Sequence, residues 1–212
     1  MNHLLVAALW TVAGAAAGYG GRRVTLWLTR REDLEPGDRP WMRWGPVIVT
    51  ALLFGVFGWR IGAAPLLLVE SLWVVVLVHV IFFDLEHRLI LDRVLLPSYV
   101  VALALSAASG VPGWRWSLVA GVAAGVGFAA IALLGALVFR AEVLGMGDVK
   151  LAVFIGLVAG AWTAQALLLG IILAGVMSIL LIVLRLKALR DTIAYGPYLC
   201  AGTLIVLLER VA

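Results

Sequence analysis

The chain has 212 residues, 64% of them hydrophobic and only 13% charged, with a mean hydropathy of +1.11. Soluble domains carry about 25% charged residues, so this composition excludes an ordinary water-soluble globule and makes lipid the solvent. The net charge of +4 does not indicate nucleic acid, because the basic residues sit in short connections without a stripe or interleaved aromatics. The single cysteine, Cys200, allows neither a disulfide framework nor a cysteine metal site. With histidines only at His3, His79 and His87, no zinc site is expected, and no cofactor is called for.

Apolar runs bounded by charges or turn residues predict about eight helices, over 3–20, 46–58, 61–83, 94–110, 117–139, 149–161, 163–186 and 194–209. A crossing needs roughly 20 apolar residues. The second and sixth runs are short, which leaves seven or eight spans. The expected fold is therefore all-α: a polytopic membrane helical bundle, forming one domain over 1–212. The first run has no Lys or Arg before it, and Arg22-Arg23 follow it. That charge order favours a retained helix with its N-terminus outside over a cleaved signal peptide.

The largest polar segment, 21–45, is amphipathic at its start and turns at Pro36-Gly37. It is expected to lie along the inner surface as an interfacial helix and loop. With an outside N-terminus, the inner segments hold Arg22, Arg23, Arg30, Arg31, Arg39, Arg43, Arg88, Arg93, Arg140, Lys150, Arg185, Lys187 and Arg190. Only Arg60, Arg115 and Arg210 remain outside. This is a strong positive-inside bias. Trp59, Trp114, Trp116 and Trp162 fall at outer boundaries, Trp41 and Trp44 at an inner one, as an aromatic belt requires. Small-residue spacings at Gly14/Gly18, Gly121/Gly125 and Gly156/Gly160 predict close helix contacts inside the bundle.

Two aspartates stand at the borders of apolar runs. Asp84 closes the run 71–83, and Asp148 opens the run from Val149. Two apolar segments lie between them, so the topology returns both carboxylates to the inner side at similar depth. Two carboxyls sharing one proton can hold and activate one water, which is aspartic-protease chemistry. Solvated charges at helix ends, with Asp148 as a simple N-terminal cap, explain the same residues without chemistry. Gly145 and Gly147 let the backbone bend and a substrate strand approach, or simply separate two helices. His79, five positions before Asp84, is assigned to packing. Glu70 lies deep in a helix, where a carboxylate is costly, and is expected to be protonated or paired.

The stretches FFDLEHRLILDRVLLP from Phe82, EVLGMGDVKLAVFIG from Glu142 and IAYGPYL from Ile193 together resemble the type IV prepilin peptidase family. The resemblance covers roughly 45–205 and rests on three motifs in order. Asp84, Leu91-Asp92 and Pro97 match the first. Gly145 to Lys150 match glycine-x-glycine-aspartate-valine-lysine in full, and Ala194 to Leu199, with Gly196 and Pro197, match the late motif. It implies catalytic Asp84 and Asp148, with Gly145, Gly147, Lys150, Glu86, Asp92, Gly196 and Pro197 in support. Lys150 either orients Asp148 or anchors to lipid phosphate.

The implied substrates are prepilins or pseudopilins with a basic leader, cut at the cytoplasmic face of a bacterial inner membrane, with lipids as the other partners. Asp84, Glu86, Asp92, Glu142 and Asp148 would supply local acid for that leader. Larger family members carry a cytoplasmic loop with cysteine pairs and methylate the product. Segment 21–45 has no cysteine and the chain shows no glycine-rich nucleotide loop, so proteolysis is expected and methylation lacks its residues. A proton-coupled transporter or scaffold is the alternative, but relay carboxylates sit near the midplane within repeats, and no repeat is visible here. Nothing in the sequence sets an oligomeric state.

Overall fold

The computed structural model describes residues 2–35, 40–139, 144–185 and 194–211. Its described residues form eight α-helices and one 3₁₀ turn: α1 (His3–Arg31), α2 (Pro40–Ile61), α3 (Pro65–His87), α4 (Asp92–Ser109), α5 (Trp114–Phe139), α6 (Met146–Ala159), the 3₁₀ turn Gly160–Trp162, α7 (Thr163–Val183) and α8 (Gly196–Glu209). Six helical stretches among the described residues are long and apolar enough to cross a membrane, and α8 is a shorter apolar helix. The chain is a multi-pass helical membrane protein. Only helices satisfy every backbone polar group within their own segment in hydrocarbon, which is why the apolar runs take this form.

The chain divides into two compact units, 1–88 with 207–212, and 89–206. In the first, α1 is capped by Asn2, whose side chain accepts from the Leu4 amide. It runs unbroken to Arg31, past the expected end at residue 20, so the first half of 21–45 is helix continuous with α1 rather than a separate interfacial piece. The reason is packing. A Cβ at Gly21 would lie 2.0 Å from His79 Nε2, so this glycine admits the His79 ring instead of ending the helix, and Leu28 and Thr29 are buried beyond it. The expected turn at Pro36-Gly37 lies outside the described residues. The second helix starts at Pro40, six residues earlier than expected, leaving Pro46 inside it. Gly14 packs on Phe54 and Ala51, and Gly18 on Val47, as their spacing foretold. Trp10 Nε1 donates to Ser71 Oγ at 2.7 Å and binds α1 to α3.

In the second unit, α5 and α6 cross at glycines. A Cβ on Gly156 would come within 2.6 Å of the Gly121 backbone, and one on Gly125 within 2.5 Å of Val153. The fully buried Ser117 hydroxyl donates to the Leu157 carbonyl at 2.7 Å and shares a hydrogen bond with Ser106 Oγ at 2.8 Å, joining α4, α5 and α6. Gly160 differs from its expected role. Its φ of +58° ends α6, and Thr163 Oγ1 donates to its carbonyl at 2.6 Å, so it makes the turn into α7, and it packs closely on Pro112 in the α4–α5 connection rather than on a helix. Gly170 and Gly202, which no expected spacing marked, bring α7 and α8 together.

Candidate active site

Asp148 owes its place to the two glycines before it. Gly145, in extended conformation, is the N-cap of α6 and offers no side chain to cap the helix. Asp148 is thus the third residue of α6, not the cap itself. Its amide donates to the Gly145 carbonyl at 3.0 Å, and its carboxylate lies back toward Gly145, 3.6 Å from where a Cβ there would stand. This is the helix position from which a capping-box carboxylate reaches back, with glycine in the cap position. An anion here also complements the positive end of the helix. Gly147 packs closely on a neighbour: a Cβ there would sit 3.2 Å from Ile90 Cβ, a tight contact.

Lys150 turns to Asp92. Its Nζ lies 2.7 Å from both Asp92 carboxylate oxygens, and Tyr99 Oη donates to the Lys150 carbonyl at 2.6 Å. Asp92 opens α4. The first turns of α6 are therefore tied at three places, to Ile90 just before α4 and to Asp92 and Tyr99 in its first half. Ile90 and Tyr99 were not among the expected site residues. Their contacts span 51 positions or more in sequence and leave no periodic trace.

Asp84 lies in the last turn of α3 and is buried, with 5% of its surface exposed. Its carbonyl accepts from the Arg88 amide at 2.8 Å, and Arg88 takes the left-handed conformation (φ 52°) that ends the helix. The aspartate is thus held one turn from a helix stop. Glu86 and His87 follow it at 3.7 Å from each other, and His87 packs on Phe83 with ring centroids 4.7 Å apart. Glu86 also lines a cavity of about 30 Å³ with Arg22, Thr25, Thr29, Arg43 and His79. His79 packs inside the bundle as expected, its Nδ1 at 2.6 Å from the Val75 carbonyl oxygen.

Gly196 and Pro197 are buried at the first turn of α8, where Leu199 lies against Gly170 of α7. The structure thus brings Gly145, Gly147, Asp148, Lys150 and Asp92 together in the second unit. Asp84 and Glu86 belong to the first. Glu142 lies outside the described residues.

The comparison with known proteins covers the first two motifs, while the late one at 194–199 lies beyond the matched segment. Residues 71–183, more than half of the chain, match the type IV leader peptidase family. The chain belongs to that family. A curated relative, the prepilin leader peptidase/N-methyltransferase of Myxococcus xanthus (strain DK1622), is 30% identical over 130 residues. That match covers 59% of this chain and spans 36% of the relative's length. No solved structure matches the chain. Both Asp84 and Asp148 lie inside the segment shared with the leader peptidase family, as do Asp92, Tyr99 and Lys150.

Proposed function

We propose that this leader peptidase family member is a membrane aspartic endopeptidase that removes the basic leader from type IV prepilins or pseudopilins. The observation that carries the reading is the family match over 71–183, a segment that holds both aspartates at helix ends. The printed name of the Myxococcus relative supports the substrate class. The chain acts as one membrane-embedded peptidase domain, in a bacterial cytoplasmic membrane with its site on the cytoplasmic side. The cationic connections support that side.

In the proposed reaction Asp84 and Asp148 share one proton and hold one water. The ionised carboxylate takes a proton from the water as its oxygen attacks the scissile carbonyl. The protonated one donates to the carbonyl oxygen, which avoids a bare oxyanion. The tetrahedral adduct then expels the amine, protonated by the acid formed in the first step. Gly145 and Gly147 leave backbone accessible beside Asp148 for an extended substrate strand. Gly196 and Pro197 shape the entry to α8, and Glu86 supplies acid toward a basic leader. Asp92 contributes less to that field, because Lys150 neutralises it. Methylation is not assigned to this chain.

The test is co-expression with a prepilin, reading leader removal and the mass of the new N-terminus. Asp84→Asn and Asp148→Asn should each lower cleavage roughly a thousandfold or more while membrane insertion persists. Full cleavage by either variant rejects the dyad. An added methyl mass on the product would assign methylation as well.

A further inference from the structure

The half-exposed pair between Asp92 and Lys150 has no evident reason in stability. Its side chains are 50% and 39% exposed, and such pairs add little to folding. Lys150 also stands in the first turns of α6, where a cation opposes the helix dipole. Yet its ammonium is at 2.7 Å from both Asp92 oxygens, and the Tyr99 hydroxyl takes its carbonyl. Asp92 and Tyr99 are seven positions apart, about two turns, so they share one face of α4. That face grips α6 on its Lys150 side. Asp148 lies two residues earlier, roughly 200° round the helix, and therefore points away from α4.

We propose that Asp92 and Lys150 are a positioning pair that sets the rotation of α6 about its axis and so aims the Asp148 carboxylate. Tyr99 is the second point of this grip, and the Ile90–Gly147 contact is the third. One point would leave α6 free to swivel; three along adjoining turns do not. The inference rests on the reading of Asp148 as a reacting group. It assigns Asp92 to the geometry of the site rather than to the leader.

The experiment uses the full-length protein in detergent or proteoliposomes with a purified prepilin, measuring kcat and KM separately. Asp92→Asn and Lys150→Gln should each lower kcat about 10- to 100-fold, the scale of a misaimed reacting group. KM should stay within about twofold, since ground-state binding is untouched. The exchanged pair, Asp92→Lys with Lys150→Asp, should return kcat to within about threefold of wild type, because the coupling survives reversal. Lys150→Arg should also retain most activity. Tyr99→Phe, which removes only the hydroxyl, should lower kcat by a smaller factor at unchanged KM.

A rise in KM alone for Asp92→Asn would overturn the proposal in favour of leader binding. Unchanged kcat in both single variants, or an exchanged pair no better than the singles, would also overturn it. Asp148→Asn is assayed alongside. If it still cleaves, the dyad reading fails. If it is inactive while the Asp92 and Lys150 variants are normal, only the positioning role fails.

Discussion

Glu70 and Arg210 form a buried ion pair on which stability depends. Glu70 is fully buried, and Arg210 Nη2 lies 2.5 Å from its Oε1. A charge placed in an apolar helix is tolerated when it is paired, and removing one partner strands the other. Arg210→Ala should therefore cost about 3–5 kcal/mol, seen as a fall in the thermal unfolding midpoint in detergent. The double replacement Glu70→Leu, Arg210→Met should recover most of that loss, since an apolar pair of similar volume removes the desolvation cost of both ions. A double variant as unstable as the single would show that Glu70 serves another group. The sequence marked Glu70 as anomalous and left it paired or protonated. It did not name the partner, which stands 140 positions away at the end of the last helix. Asp84 and Asp148 were legible for the opposite reason: each belongs to a short motif whose parts are neighbours in sequence. Tyr99 carries no such motif, and only its contact to Lys150 marks it.

Among the elements, α6 is the one whose placement decides the site, and glycines place it. The Gly156 Cβ position lies 2.5 Å from the Ala120 carbonyl oxygen, a backbone atom that cannot swing away. Gly156→Ala should push α5 and α6 apart and cost about 1–3 kcal/mol, the usual scale of overpacking. Cleavage should fall with it, because Asp148 rides on α6. Gly127→Ala is the matched control. It lies on α5 with nothing within 4 Å of its Cβ position, and its unfolding midpoint should be unchanged or slightly higher. Equal loss in both variants would mean that the added methyl group acts elsewhere than at the crossing, since Ala itself favours a helix over Gly. The α5–α6 crossing was readable from the spacing of small residues, and so were the apolar runs that became helices. Helix ends were less so. The charged stretch after residue 20 read as a surface segment, but its burial of Leu28 and its seat for His79 appear only once α1 meets its neighbours. Gly160 satisfied a packing spacing, and it both packs on Pro112 and supplies a positive φ, two uses of glycine that one sequence cannot tell apart.

At the scale of the whole molecule, orientation in the membrane depends on what Gly160 does. Residues 146–183 form 38 residues of apolar helical chain. As one straight helix they would extend about 57 Å, nearly twice the roughly 30 Å of hydrocarbon. The left-handed Gly160 divides them, so the chain can cross on α6, turn at Trp162 and return on α7. On its own α6 reaches about 21 Å, which puts the turn near the far interface, where an exposed tryptophan is at home. Single cysteines resolve the two cases. The native Cys200 is fully buried, and Cys200→Ala supplies a background without it. In intact cells a membrane-impermeant maleimide should label Trp162→Cys, Arg60→Cys and Arg115→Cys. Arg88→Cys and Arg185→Cys should react only after the membrane is opened, as the distribution of arginines requires. If Arg185→Cys is labelled from outside and Trp162→Cys is silent, then α6 and α7 cross once as a single span. The chain beyond residue 185 would then lie on the opposite side, and the Tyr-Gly-Pro-Tyr motif that opens α8 would face away from the side on which Asp148 lies.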